Sequence, residues 1–217
     1  LQYGVGLGVG VVLGDLILDL YVQGEVRRIS PEAPIPVFEG GQRTFRLGGA
    51  GNVAANLEAL EAEVAVAGLI GADEEGARLQ TLLRTQGIEA AGVLVAQGRP
   101  TTRKTRFLSR DHQLLRWDEE EAGLPDPSLE RRLREFLDRE IPGFSALVLS
   151  DYAKGVLGPP LIRSAVSRAR AAGIPVIVDP KGRDYTRYRG VSLITPNRAE
   201  AELATGIALA DDAALEG

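Results

Sequence analysis

The sequence predicts an α/β protein with a doubly wound, mostly parallel sheet and a small second β-sheet acting as a lid. Two observations carry this reading. Short, near-continuous apolar runs end in polar clusters and alternate with amphipathic helical stretches. Two segments, about 21–47 and 93–118, break that alternation with shorter, β-branched or alternating runs.

The first apolar run, Val9–Leu13, leads into Gly14-Asp15. The proline-bearing segment from Tyr21 to Leu47 follows, with strand-like pieces at Ile35–Phe38 and Thr44–Leu47. Gly48-Gly49-Ala50-Gly51-Asn52 then opens a helix expected over Asn52–Leu60. Val64–Ile70 reads as a strand running into Gly71-Ala72-Asp73, and Glu74–Gln86 as a helix. Thr105–Leu108 and Leu114–Trp117 flank a polar turn and form a hairpin. Leu129–Ile141 sets Leu129, Leu133, Phe136, Leu137 and Ile141 on one helical stripe. Ala146–Leu149 runs into Ser150-Asp151, and the helix Pro159–Ala172 stops at Gly173. Val176–Val178 leads to Asp179-Pro180-Lys181, and Val191–Ile194 to Thr195-Pro196-Asn197.

The 217 residues are 44% hydrophobic, 25% charged and 5% aromatic, with a net charge of -5. That is globular composition, and its mild acidity argues against a general nucleic-acid binder. No apolar run approaches the roughly 18 residues of a membrane span, so a cytoplasmic protein is expected. Cysteine is absent, which excludes thiolate catalysis and cysteine-ligated metals. A lone His112, in the polar turn Ser109–Gln113, excludes a multi-histidine site and argues against a Ser/His/Asp triad. The chain starts at Leu1, lacks methionine, and ends at Asp211–Gly217 without a closing element, so a piece of a longer protein is expected.

Gly4, Gly6, Gly8 and Gly10 miss the G-x-G-x-x-G spacing and precede the strand rather than follow it. No Gly-Lys-Ser/Thr occurs, so there is no Walker A loop. Asp15, Asp19, Asp151, Asp179 and Asn197 fall at or just past expected strand ends, where open α/β sheets bind ligands. They point to a shared cleft, although one aspartate in such a place is often only a helix cap. Asn197 and Glu200, three apart at a helix start, suit either a capping box or the water shell of Mg²⁺ on nucleotide phosphates. Arg103, Lys104, Arg106, Arg110 and Arg116 make the hairpin basic, as Arg27 and Arg28 do the first segment. A solvated strand face and a pocket for an anionic substrate both fit.

At GDLILDLY (14–21), RRISPEAPIPVF (27–38), LGGAGNVAANL (47–57), GRPTTRKTRFLSRDHQLLRWD (98–118), LSDYAKGVL (149–157), VDPKGRDYTRYRG (178–190) and TPNRAEAE (195–202), the chain resembles the ribokinase-like (PfkB) carbohydrate kinases. Within them it is most similar to the D-glycero-β-D-manno-heptose 7-phosphate kinases. The resemblance implies ATP and Mg²⁺ as cofactors and a sugar phosphate as the acceptor, with a homodimer formed through the lid. It implies that Asp19 holds sugar hydroxyls, with Gly48, Gly49 and Asn52 lining the sugar pocket. Lys104 and Arg106 would face the sugar phosphate, and Asp15 and Asp151 complete the substrate side. Asp179, Lys181, Asn197 and Glu200 are assigned to the nucleotide, the last two serving Mg²⁺ indirectly through water. Where ribokinases often carry lysine after the Gly-Gly pair, this chain has Ala50. The family base is the aspartate of a Gly-Ala-Gly-Asp motif downstream of Asn-x-x-Glu, and no such motif follows Glu200. No catalytic residue is therefore assigned within the chain, and residues 1–217 are expected to form one C-terminally incomplete kinase domain. A kinase for another sugar or sugar phosphate, or a sugar-binding piece without turnover, is the alternative.

Overall fold

A computed structural model describes residues 10–209. Val9, Gly4, Gly6, Gly8 and the segment Asp211–Gly217 lie outside the described residues. The elements in chain order are β1 (Gly10–Gly14), β2 (Leu16–Ile29), β3 (Pro36–Gly49), α1 (Ala50–Ala59), β4 (Val64–Gly71), α2 (Glu74–Thr85) and β5 (Glu89–Ala96). They continue with β6 (Arg103–Ser109), β7 (His112–Glu119), α3 (Pro127–Glu140), β8 (Ala146–Ser150), α4 (Pro159–Ala171), β9 (Val176–Asp179), β10 (Leu193–Ile194) and α5 (Arg198–Thr205).

The main sheet has the order β10-β9-β8-β1-β4-β5, and every pairing in it is parallel. Alternation along its strands divides the core in two. Val11, Leu13, Ala65, Ala67 and Leu69 pack with Leu133 and Leu137 of α3 and Leu161, Ile162 and Ala165 of α4. Val12, Val64, Val66 and Ile70 pack with Ala50 and Ala54 of α1 and Leu79 and Leu83 of α2. Successive side chains point to opposite faces, so strands apolar at every position need helices on both sides. Each large aliphatic side chain buried this way contributes about 1.5–3 kcal/mol. β1 is the branch point of the winding: the chain builds outward through β4 and β5, then returns to lay β8, β9 and β10 on the other side. The crevice above the carboxyl ends of β1 and β8 is where such a sheet receives a ligand.

The second sheet, in the order β3-β2-β6-β7, rises from that same end. β2 pairs antiparallel with β3 and parallel with β6, and β6 with β7 closes the hairpin expected from the sequence. The sheet takes in residues 16–49 and 103–119, wider at its first segment than 21–47 and narrower at its second than 93–118. Val93–Ala96 belongs to β5, paired parallel with β4 in the main sheet. Asp19 lies inside β2 rather than at a strand end. β10 keeps only two residues of the Val191–Ile194 run, because the Val191 N–H closes the turn onto the Tyr188 carbonyl.

The helix ends follow their caps. Gly173, with φ 73°, ends α4 in the left-handed conformation that glycine adopts at no steric cost. Asp126 accepts from the Ser128 N–H at 2.7 Å and Pro127 starts α3, two residues before the apolar stripe. Asp73 caps α2 by accepting from the Gly76 N–H at 2.8 Å, and also binds the Thr101 N–H and hydroxyl at 2.7 and 2.6 Å. Burial works to raise the Asp73 pKa, but these donors outweigh it and hold the carboxyl below its usual value. A depressed carboxylate adds stability above its unfolded pKa of 3.8 and loses it as pH falls through the folded value. Asp73→Ala is therefore expected to cost about 1–3 kcal/mol at pH 7 in urea denaturation. The difference from wild type should shrink as the pH is taken below 3.8, and a difference constant with pH would contradict this assignment.

Candidate functional site

A cavity of about 290 Å³ opens between the lid and the main sheet. Its lining brings together Asp19, Gly48, Gly49, Asn52, Lys104 and Arg106 from the sequence-assigned residues. Strand alternation explains how. Ile17, Asp19 and Tyr21 of β2 face the cavity, while Leu18, Leu20 and Val22 are buried on the other face. Register supplies the neighbours: Asp19 sits opposite Arg46 of β3 and Lys104 of β6, and Tyr21 sits opposite Arg106.

Asp19 is the one carboxylate lining this cavity among the described residues, and it pairs with the Arg106 guanidinium at 2.5 Å. Burial opposes the charge on Arg106, yet the Asp19 hydrogen bond and charge outweigh it and make the guanidinium hold its proton more firmly. Arg46 and Arg106 both lie over the Tyr21 ring, 5.4 and 5.2 Å from its centroid. The Lys104 ammonium is 5.8 Å from the Tyr152 ring. Burial, then the charge of Lys154, pushes the Lys104 pKa down. Three cations against one carboxylate give the cavity an excess of positive charge. The region is also basic beyond a solvated strand face, because Lys104 and Arg106 are half-buried.

Backbone closeness shapes the floor. A Cβ at Gly48 would collide with the Asp19 carboxylate, and one at Gly49 with the carbonyl of Asp15. Gly49 holds φ 56° at the start of α1, without a side-chain cap on the helix. The first N–H of α1, from Ala50, donates to the Asp15 carbonyl at 2.9 Å, and Asn52 in the first turn lines the cavity wall.

A second cluster lies past β9. The Lys181 ammonium donates to Glu200 at 2.8 Å, and Glu200 also closes a full capping box with Asn197. Burial works to raise the Glu200 pKa, but Lys181 and the Asn197 N–H hold the carboxyl low. Asp179 is pushed up, by burial first and then by Glu200. Of the two readings of Asn197 and Glu200, the capping box is formed, with the charges of Lys181 and Asp179 beside it. No group of three or more acidic, histidine or cysteine side chains is placed to hold a metal among the described residues. Asp179 and Glu200 are acidic and Asn197 carries an amide oxygen, the hard oxygen chemistry through which the waters of a Mg²⁺ could be held.

Two of the residues assigned to the substrate do not line the cavity. Asp15 is 1% exposed, and its carboxylate accepts from the backbone N–H groups of Tyr152, Lys154 and Val156. Asp151 is 3% exposed and accepts from the Tyr188 hydroxyl at 2.6 Å and the Ala153 N–H at 2.8 Å. Both carboxylates are engaged by the loop after β8 or by Tyr188. Conversely, Tyr21, Arg46 and Tyr152 line the cavity without having been assigned. Tyr21 shares a strand face with Asp19 by its two-residue spacing, whereas Arg46 comes opposite Asp19 only through the pairing of β2 with β3.

A winding of helices around a parallel sheet, covered at its ligand end by a small sheet with a sugar-sized polar cavity, is the ribokinase-like architecture. The structure aligns with Escherichia coli phosphofructokinase-2 in complex with fructose-6-phosphate at a TM-score of 0.76 and 20% identity, covering 96% of this chain and 67% of that one. It aligns with Arabidopsis thaliana ribokinase complexed with ribose and ATP at 0.69 and 20%, covering 96% and 66%. The model of the pfkB family carbohydrate kinases matches residues 11–216, and the chain belongs to that family. It is 46% identical over 205 residues to the bifunctional protein HldE of Geobacter sulfurreducens and 47% identical over 206 to that of Caulobacter vibrioides. It covers 94–95% of itself in these matches and spans 42% of the length of each relative. No helix among the described residues is long and apolar enough to cross a membrane.

Proposed function

We propose that the protein carrying this chain is an ATP-dependent kinase that phosphorylates the anomeric hydroxyl of D-glycero-D-manno-heptose 7-phosphate. It yields the 1,7-bisphosphate, a precursor for lipopolysaccharide. The observation that carries this reading is the cavity itself. One carboxylate suited to sugar hydroxyls stands among Arg46, Lys104 and Arg106, which suit a phosphate already on the sugar. The similarity to the HldE relatives supports a heptose over other sugars.

Asp19 and Asn52 orient the ring, the lid sheet excludes water from the cavity, and Lys181 balances charge beside Glu200. Bound Mg·ATP would supply the γ-phosphoryl group and offset its charge, with Asp179, Asn197 and Glu200 holding the ion's waters. The aspartate that accepts the hydroxyl proton in the family is assigned to a Gly-Ala-Gly-Asp motif outside these residues. A cytoplasmic homodimer joined through the lid is part of the same reading, supported by the exposed Ile29, Leu115 and Trp117 on the lid sheet.

An acceptor panel with the full-length gene product and ATP tests it. The expected result is efficient phosphorylation of the heptose 7-phosphate, with the same heptose lacking its phosphate at least about tenfold poorer in kcat/KM. In Lys104→Ala that discrimination should fall by about tenfold. Efficient turnover of other sugars with this one untouched would contradict the proposal.

A further inference from the structure

The loop after β8, Asp151–Leu157, is held from below by charge. The Asp15 carboxylate gathers three of its N–H groups, at 2.8 Å from Tyr152, 3.0 Å from Lys154 and 3.1 Å from Val156. These contacts join residues 137 to 141 positions apart in sequence. The loop is fixed elsewhere as well. Lys154 pairs with Glu120 at 2.6 Å and its carbonyl accepts from Arg99, while Asp151 is bound to Tyr188. Ala153 takes φ 56°, and Gly155, with φ 99°, lies so close to Gly123 that a Cβ would collide with its carbonyl. A non-glycine residue in the left-handed region persists only where its surroundings over-determine the backbone.

The outcome of all this restraint is the position of one ring. Tyr152 lines the lid cavity and faces the Lys104 ammonium. Its phenol is pushed up, by burial first and then by the negative charges of Asp179 and Asp19. Nothing in the sequence motifs gives Asp15 or Tyr152 this relation.

We infer that Asp15 is a positioning residue: its buried carboxylate fixes the loop 151–157 so that Tyr152 is held in the wall of the sugar cavity, facing Lys104. An aspartate this buried is costly unless its oxygens are satisfied. Here three backbone donors satisfy them, and the same bonds set where the loop can go. The inference rests on the sugar-kinase reading for the ligand, but not for the loop.

The test is Asp15→Asn in the full-length protein, read by amide hydrogen exchange and by steady-state kinetics. Asparagine keeps the shape but turns an N–H₂ toward backbone N–H donors. Exchange at residues 152, 154 and 156 should accelerate by about tenfold or more. KM for heptose 7-phosphate should rise by about tenfold, with KM for ATP within about twofold. Tyr152→Ala removes the ring without touching the anchor. It should reproduce the sugar-phosphate KM rise while amides 154 and 156 exchange as in wild type, and it serves if Asp15→Asn fails to fold. Unchanged exchange in Asp15→Asn, or a loosened loop with unchanged sugar-phosphate KM, overturns the inference, as does Tyr152→Ala with wild-type KM. A wild-type protein that binds no sugar phosphate contradicts the kinase reading instead, and the exchange measurement then decides the role of Asp15 alone.

Discussion

Asp19→Ala is expected to raise KM for the sugar substrate by about 10²-fold while leaving KM for ATP within about threefold. The carboxylate is the one acidic group lining the lid cavity among the described residues, and it is oriented by Arg106 at 2.5 Å. A hydrogen bond to a charged group is worth about 1.5–3 kcal/mol, and each 1.4 kcal/mol is tenfold in affinity. The substitution also leaves the half-buried Arg106 guanidinium, already over the Tyr21 ring, without its carboxylate partner, which adds to the loss. Asp19→Asn keeps an acceptor oxygen and should recover part of the effect. Steady-state kinetics with both substrates varied makes the comparison, and a KM for sugar within about threefold of wild type would remove Asp19 from the site.

Gly49→Val is expected to cost on the order of 3 kcal/mol of stability and to abolish sugar binding. Two effects add at this position. A β-branched residue at φ 56° is strained whatever the space. There is also no space, because the new Cβ meets the Asp15 carbonyl and the Ile17 side chain. That carbonyl accepts from the Ala50 N–H at 2.9 Å, so pushing it away loosens the start of α1 together with the cavity floor. Against a typical stability of about 5–15 kcal/mol, this is a large fraction. Urea denaturation followed by circular dichroism measures it, and a loss below about 1 kcal/mol would contradict the close approach.

The fold was legible wherever one residue type dominated a run. Val64–Ile70 and Ala146–Leu149 could only be buried strands, and the stripe from Leu129 to Ile141 could only be a helix against a core. β5 was not legible as a main-sheet strand: Glu-Ala-Ala-Gly at its start has weak strand preference, and its place beside β4 is a long-range choice. The entire 14-residue β2 was equally hidden, since Leu16–Leu20 continues the apolar character of β1 and the strand changes sheets at Asp15. That hidden change moves Asp19 away from the strand end expected for it. Asp19 belongs to the lid, where alternation aims it into the cavity beside Arg46 and Arg106. Asp15 and Asp151 are at strand ends as expected, but burial turns them to backbone N–H groups that sequence spacing does not reveal. Tyr152 carries no motif of its own, and its position depends on an anchor 137 residues earlier.

A crystal structure of the full-length protein with heptose 7-phosphate bound tests the central claim most directly. Sugar hydroxyls are expected on Asp19 and Asn52, with the phosphate about 3 Å from donors of Lys104, Arg106 or Arg46. A larger cavity of about 750 Å³ lies at the opposite ends of the strands, lined by Glu58, Glu63, Glu89 and Phe136. Sugar phosphate bound there, or anywhere outside the lid cavity, would contradict it.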